Sequence, residues 1–90
     1  MDPSSKPKQK PGYRLEMLDN EFLLYHLSET TILYCNQTAS LIWQLCDGRH
    51  TVKEIRILFS EAYPESAETV VADVNEVLRL FLEHKAIGLT

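Results

Sequence analysis

Between Tyr13 and Cys35 short apolar-rich stretches read with the two-face period of strands, and from Asn36 onward apolar positions recur every three to four residues. In YRLEML, Tyr13, Leu15 and Met17 alternate with Arg14 and Glu16, the rhythm of a half-buried strand. Asp19-Asn20 is a two-residue turn signal that tolerates positive φ. FLLYHL reads as a second strand, Ser28-Glu29 as a second tight turn, and TTILYC as a third strand. One face of TTILYC carries Thr31, Leu33 and Cys35, and the other Thr30, Ile32 and Tyr34. Neither face has a charge, a proline or a glycine, so this strand is adhesive on both sides.

The helical half has its own punctuation. Asn36 is suited to cap a helix from about Gln37 to Cys46, with Ala39, Ile42, Trp43 and Cys46 on one face and Asp47-Gly48 as the stop. Thr51-Val52-Lys53-Glu54 has the wording of a capping box, predicting a second helix to about Ala62 that buries Ile55, Leu58 and Phe59. Tyr63-Pro64 breaks it. Ser66 is placed to cap a third and longest helix to about Lys85, with Val70, Val74, Val77, Leu78 and Phe81 as its apolar stripe. Gly88 closes the chain, with Ile87 and Leu89 tucked back. The order predicts an α+β fold: a three-stranded antiparallel sheet followed by three helices on one of its faces. Three strands alone are marginal, so the long helix is expected to pack on them.

Composition changes the picture at the N-terminus. Residues 1–12 offer proline, serine, lysine and glutamine with no apolar side chain after Met1, which predicts a flexible arm ahead of a single domain over residues 13–90. This segment lacks the apolar stretch of a secretory signal, and no run of about 18 apolar residues exists to span a membrane. The expectation is a cytoplasmic protein with no membrane partner, and Cys35 and Cys46 reduced rather than bridged. Net charge is -4, unevenly spread. Lys6, Lys8, Lys10 and Arg14 face only Asp2 in the first 14 residues, leaving five basic against twelve acidic residues in the remainder. An acidic body argues against a nucleic-acid partner, which requires clustered Lys and Arg.

Catalytic constellations do not emerge. His26, His50 and His84 fall on different elements, without Cys-x-x-Cys or His-x-x-x-His spacing for a metal. His26 is expected to face solvent. Cys46 sits on an apolar helix face, which raises a thiol's pKa rather than activating it. Gly12, Gly48 and Gly88 make no phosphate loop. The reading is a non-enzyme with no metal and no cofactor.

The third predicted strand carries the functional argument. In a meander it lies at an edge, and it lacks the charges by which Arg14 and Glu16 guard the opposite edge. Such an edge can accept a further peptide as an added strand, or a second copy of the chain. The third helix would form the other wall. Its wheel centres on Val74 and Phe81, and Asp73, Val77 and Leu80 fall along one flank.

The run Asn36-Gln37-Thr38-Ala39-Ser40-Leu41-Ile42-Trp43 resembles the N-x-T-A-x-x-I-W segment of PqqD-like proteins. Asp47-Gly48 with Thr51 and Ile55, then Tyr63, Asp73-Val74, Leu78, Leu82 and Gly88-Leu89, resemble the rest, so the likeness spans Tyr13 to Leu89. It implies a three-strand, three-helix fold like a winged helix-turn-helix. It further implies a chaperone that binds the leader of a ribosomally made precursor peptide beside the third strand, against the third helix. The leader is then presented to a modifying enzyme, a radical SAM protein in pyrroloquinoline quinone biosynthesis. Carried to this chain, the implied peptide-binding residues are Thr30, Thr31, Ile32, Leu33, Tyr34 and Cys35 with Asp73, Val77 and Leu80. The Asn-x-Thr-Ala…Ile-Trp wording is typical of the wider group, so a lasso-peptide or other modified-peptide pathway, with a leader protease as partner, stays open. The alternatives are a winged-helix DNA-binding module and a self-associating domain that dimerises through the exposed edge.

Overall fold

Backbone hydrogen bonding, rather than side-chain burial, organises the start of the chain in this computed structural model, which describes residues 1–19, 21–30 and 32–90. Strand β1 (Pro7–Gln9) pairs antiparallel with β5 (Ile87–Leu89), Pro7 opposite Leu89 and Gln9 opposite Ile87. The other side of β1 is bonded too. The Gln9 N–H donates to the Cys46 carbonyl at 2.9 Å, and the Gly48 N–H to the Pro7 carbonyl at 2.9 Å. Upstream, the Ser5 and Pro3 carbonyls accept from the Val52 and Lys53 amides at 2.9 and 3.0 Å. Those amides belong to the first turn of a helix and have no partner within it. Composition predicts a flexible arm over residues 1–12; the structure corrects this for the segment that carries β1, and Pro7 is buried. The cause is that every main-chain amide and carbonyl needs a partner, whatever its side chain.

At Gly12 the chain passes into a second sheet with φ +92. This sheet has the order β2-β3-β4: β2 (Tyr13–Leu18), β3 (Glu21–His26) and β4 (Ile32–Cys35). Leu18 opposes Glu21, so the first turn has two residues. Asp19 takes φ 52 as expected, while Asn20 lies outside the described residues. The second connection is longer than the predicted tight turn. Tyr25 opposes Ile32 among the described residues, and Leu27 to Thr30 lie outside the strands, while Thr31 lies outside the described residues. Local bonds hold this loop off the ladder: the Ser28 N–H donates to His26 Nδ1 at 3.1 Å, and the Leu27 N–H to the Gly12 carbonyl at 2.8 Å. His26 does not face solvent. It shares strand parity with buried Leu24, is half-buried, and meets the Tyr13 ring edge-on at 4.9 Å.

Helix α1 (Gln37–Leu45) starts where Asn36 accepts from the Ala39 N–H at 2.8 Å. Helix α2 (Val52–Ala62) carries both bonds of the capping box between Thr51 and Glu54. Its buried positions are Val52, Ile55 and Phe59; Leu58, predicted inward, is exposed because it lies about 100° round the wheel from Phe59. One 3₁₀ turn (Pro64–Ser66) precedes α3 (Ala67–Glu83). Ser66 makes no side-chain cap; its N–H is bonded to the Tyr63 carbonyl within that turn. The helix ends before Lys85, which takes φ 58.

The core draws Leu24 from the sheet, Ile42 and Trp43 from α1 with Cys46 just beyond its end, Ile55 and Phe59 from α2, and Val74, Leu78 and Phe81 from α3. Trp43 is its keystone, edge-on to Phe81 at 5.5 Å and tilted against Tyr13 at 5.9 Å. Helix α1 meets β3 and β4, while α3 packs against α1, α2 and β5.

Candidate functional site

Strand β4 is the outer member of its sheet, bonded to β3 on one side. Among the described residues, no backbone hydrogen bond reaches its other side from any other element. Parity is as read from the sequence. Leu33 is half-buried against the core and Cys35 is buried, whereas Ile32 is 53% and Tyr34 75% exposed. Thr30 is exposed in the connection before the strand, and Thr31 lies outside the described residues.

The outward face of the sheet continues the apolar character of Ile32 and Tyr34. Ile32 opposes Tyr25 and Tyr34 opposes Leu23. Tyr25 in turn donates its hydroxyl to Glu16 at 2.7 Å, a bond that raises the phenol's pKa. These two β3 side chains, Leu23 and Tyr25, were not singled out from the sequence, although the period-two rhythm of FLLYHL holds the signal. Where β4 runs into α1, Glu21, Tyr34, Cys35 and Asn36 border an open hollow of about 450 Å³.

On α3, Val74, Leu78 and Phe81 point into the core. Val77 is half-buried at the margin of the same core that Leu33 borders; Asp73 is exposed and Leu80 is 39% exposed. The structure thus brings Leu33 and Val77 to one core, with Asp73 and Leu80 on the exposed side of the same helical flank.

The remaining candidate groups are tied into local structure. Burial pushes the Cys46 thiol up to about 12, with Asp47 adding to the shift, and burial also raises Cys35. A thiol held protonated is a poor nucleophile and a poor metal ligand. His50 Nδ1 sits 3.0 Å from Asp47, His26 serves Ser28, and the His84 carbonyl accepts from the Tyr13 hydroxyl at 3.2 Å. No cluster of three or more His, Cys, Asp or Glu suited to a metal occurs among the described residues. Two of the basic residues on the helices are engaged with side chains of the same domain: Arg56 Nε donates to Asn75 Oδ1 at 2.8 Å, and Arg79 pairs with Glu76. Among the described residues no helix is long and apolar enough to cross a membrane.

The geometry is that of a small α+β domain whose outermost strand carries an uncharged edge with no backbone partner among the described residues. The chain belongs to the PqqD family: the model of "Coenzyme PQQ synthesis protein D (PqqD)" matches residues 21–87. Among curated proteins none matches. A solved structure, TbiB1 in complex with the TbiA(beta) leader peptide, shares the fold with a TM-score of 0.70 and 24% identity. The alignment covers 89% of this chain and 93% of that one.

Proposed function

We propose that this protein captures the leader of a ribosomally made precursor peptide as a strand added to the open edge of β4, and presents it to a modifying enzyme. The carrying observation is that edge: four uncharged residues whose outer main-chain groups have no partner among the described residues. A guest strand supplies those hydrogen bonds, and its alternating side chains supply selectivity. Family membership supports the reading, and so does the fold shared with TbiB1, which holds a leader peptide. The docking residues are Thr30 to Cys35 on the strand side, with Asp73, Val77 and Leu80 as the helical wall. The role is non-catalytic and cytoplasmic. The enzyme served is a radical SAM protein or a leader protease, and the product is pyrroloquinoline quinone, a lasso peptide or another modified peptide.

Amide NMR of the 15N-labelled protein tests this. Adding the precursor encoded beside its gene is expected to shift resonances in residues 30–35 and along α3. An unchanged spectrum at saturating precursor would refute it. The same edge admits a second copy when no guest is present, because an unpaired strand pairs with whatever strand is available. Sedimentation with and without precursor separates the two, since the guest should dissolve any dimer.

A further inference from the structure

We infer that the guest strand is read on both of its faces, and that Ile32 and Tyr34 are the specificity-determining residues for its outward face. This rests on strand addition at β4 and deepens it. An ordinary surface sheet presents polar side chains outward. Here the outward positions on β4 are Ile32 and Tyr34, and the cross-strand neighbours behind them are Tyr25 and Leu23. The apolar rows Tyr25–Ile32 and Leu23–Tyr34 therefore run straight to the free edge and stop there. A strand laid along that edge puts one outward side chain opposite Ile32 or Tyr34, at the separation where aromatic and β-branched pairs attract. Its inward side chains meet Leu33 and the core margin instead. The substrate class that fits is an extended peptide with aromatic or β-branched residues at consecutive positions, not merely at alternate ones.

The test uses the full chain and short random-sequence peptides displayed on phage. Peptides selected by the wild-type protein should carry consecutive aromatic or β-branched residues. Those selected by the Ile32→Thr/Tyr34→Thr double variant should keep apolar residues at every second position only. The best wild-type peptide should bind the double variant about tenfold more weakly, the size of two cross-strand pairs. Threonine keeps the strand propensity, and both sites are exposed, so folding is preserved and checked by the thermal midpoint. A period-two pattern on the wild type, or unchanged affinity for the double variant, would overturn the inference while leaving strand addition in place. Full binding of the selected peptide after N-methylation of alternate backbone amides would overturn strand addition itself, as would failure to select any peptide.

Discussion

Two short strands of this chain meet opposite fates. β1 is polar and lies in a stretch with scarcely an apolar side chain, yet both of its sides are bonded: β5 on one, Cys46 and Gly48 on the other. β4 is apolar and uncharged, and one of its sides has no described partner. Hydrophobicity and pairing are thus uncoupled here. The polar strand serves as a fastener between the two ends of the fold, and the sticky strand is left available. A chain that needed only to fold would have used them the other way round, because an exposed apolar edge invites aggregation.

Breaking the fastener should have the largest effect. Removing residues 1–10 strips β5 of its partner, exposes the core side of Ile87, and leaves the first α2 amides without acceptors. Urea unfolding of the truncated chain is expected to show a loss of about 3 kcal/mol or more, from several lost hydrogen bonds at about 1 kcal/mol each plus exposed apolar area. An unchanged midpoint would mean that the β1–β5 ribbon is ornamental. Next come two isoleucines in matching elements. Ile87→Ala in β5, where the side chain is 2% exposed, should cost about 2–4 kcal/mol. Ile32→Ala in β4 should cost less than about 1 kcal/mol, since little burial is lost there. Equal costs would erase the distinction between the two strands.

A smaller effect is expected at the end of β4. Asn36→Ala removes the cap on α1 and should lower stability by about 1 kcal/mol, with early amide exchange at Ala39 as the local readout. The smallest concerns the loop between α1 and α2, which is bonded to β1. Asp47 is held down to about 2, chiefly by the Arg49 N–H and further by His50. The unfolded chain's carboxylate titrates near about 4. A depressed carboxylate contributes stability above its unfolded pKa and loses it as pH falls through the folded value. Thermal midpoints measured between pH 5 and 2 should therefore fall less steeply for Asp47→Asn than for the wild type.

Much of the fold is written locally. The meander between Tyr13 and Cys35, the Asn36 cap, the Thr51–Glu54 box and the inner stripe of α3 follow from periodicity and short-range hydrogen bonding. The β1–β5 ribbon does not, because strands that pair through the main chain leave no side-chain signature, and their partners stand some eighty residues apart. Ser66 and Leu58 fail for local reasons: the 3₁₀ turn takes up the Ser66 N–H, and the wheel places Leu58 to one side of the buried stripe Val52, Ile55 and Phe59. At the site, alternation separates Leu33 and Cys35 from Ile32 and Tyr34, but two uncharged faces leave it to packing to decide which set turns inward. The length of the β3–β4 loop is not legible from alternation, because bonds from Ser28 to His26 and from Leu27 to Gly12 draw Leu27 and Ser28 into a turn.

Gly12 carries a consequence for how these two regions communicate. A β-carbon there would sit 2.4 Å from His26 Nε2, and that same imidazole holds the Ser28 amide at the entry to the β4 loop. The missing side chain is therefore a keyway: the ribbon and the sheet lock at one angle because a ring fills the space beside a bare backbone. Any bulk added at Gly12 would be felt first not by its neighbours in sequence but by the His26 ring and, through it, the Ser28 amide in the β3–β4 loop.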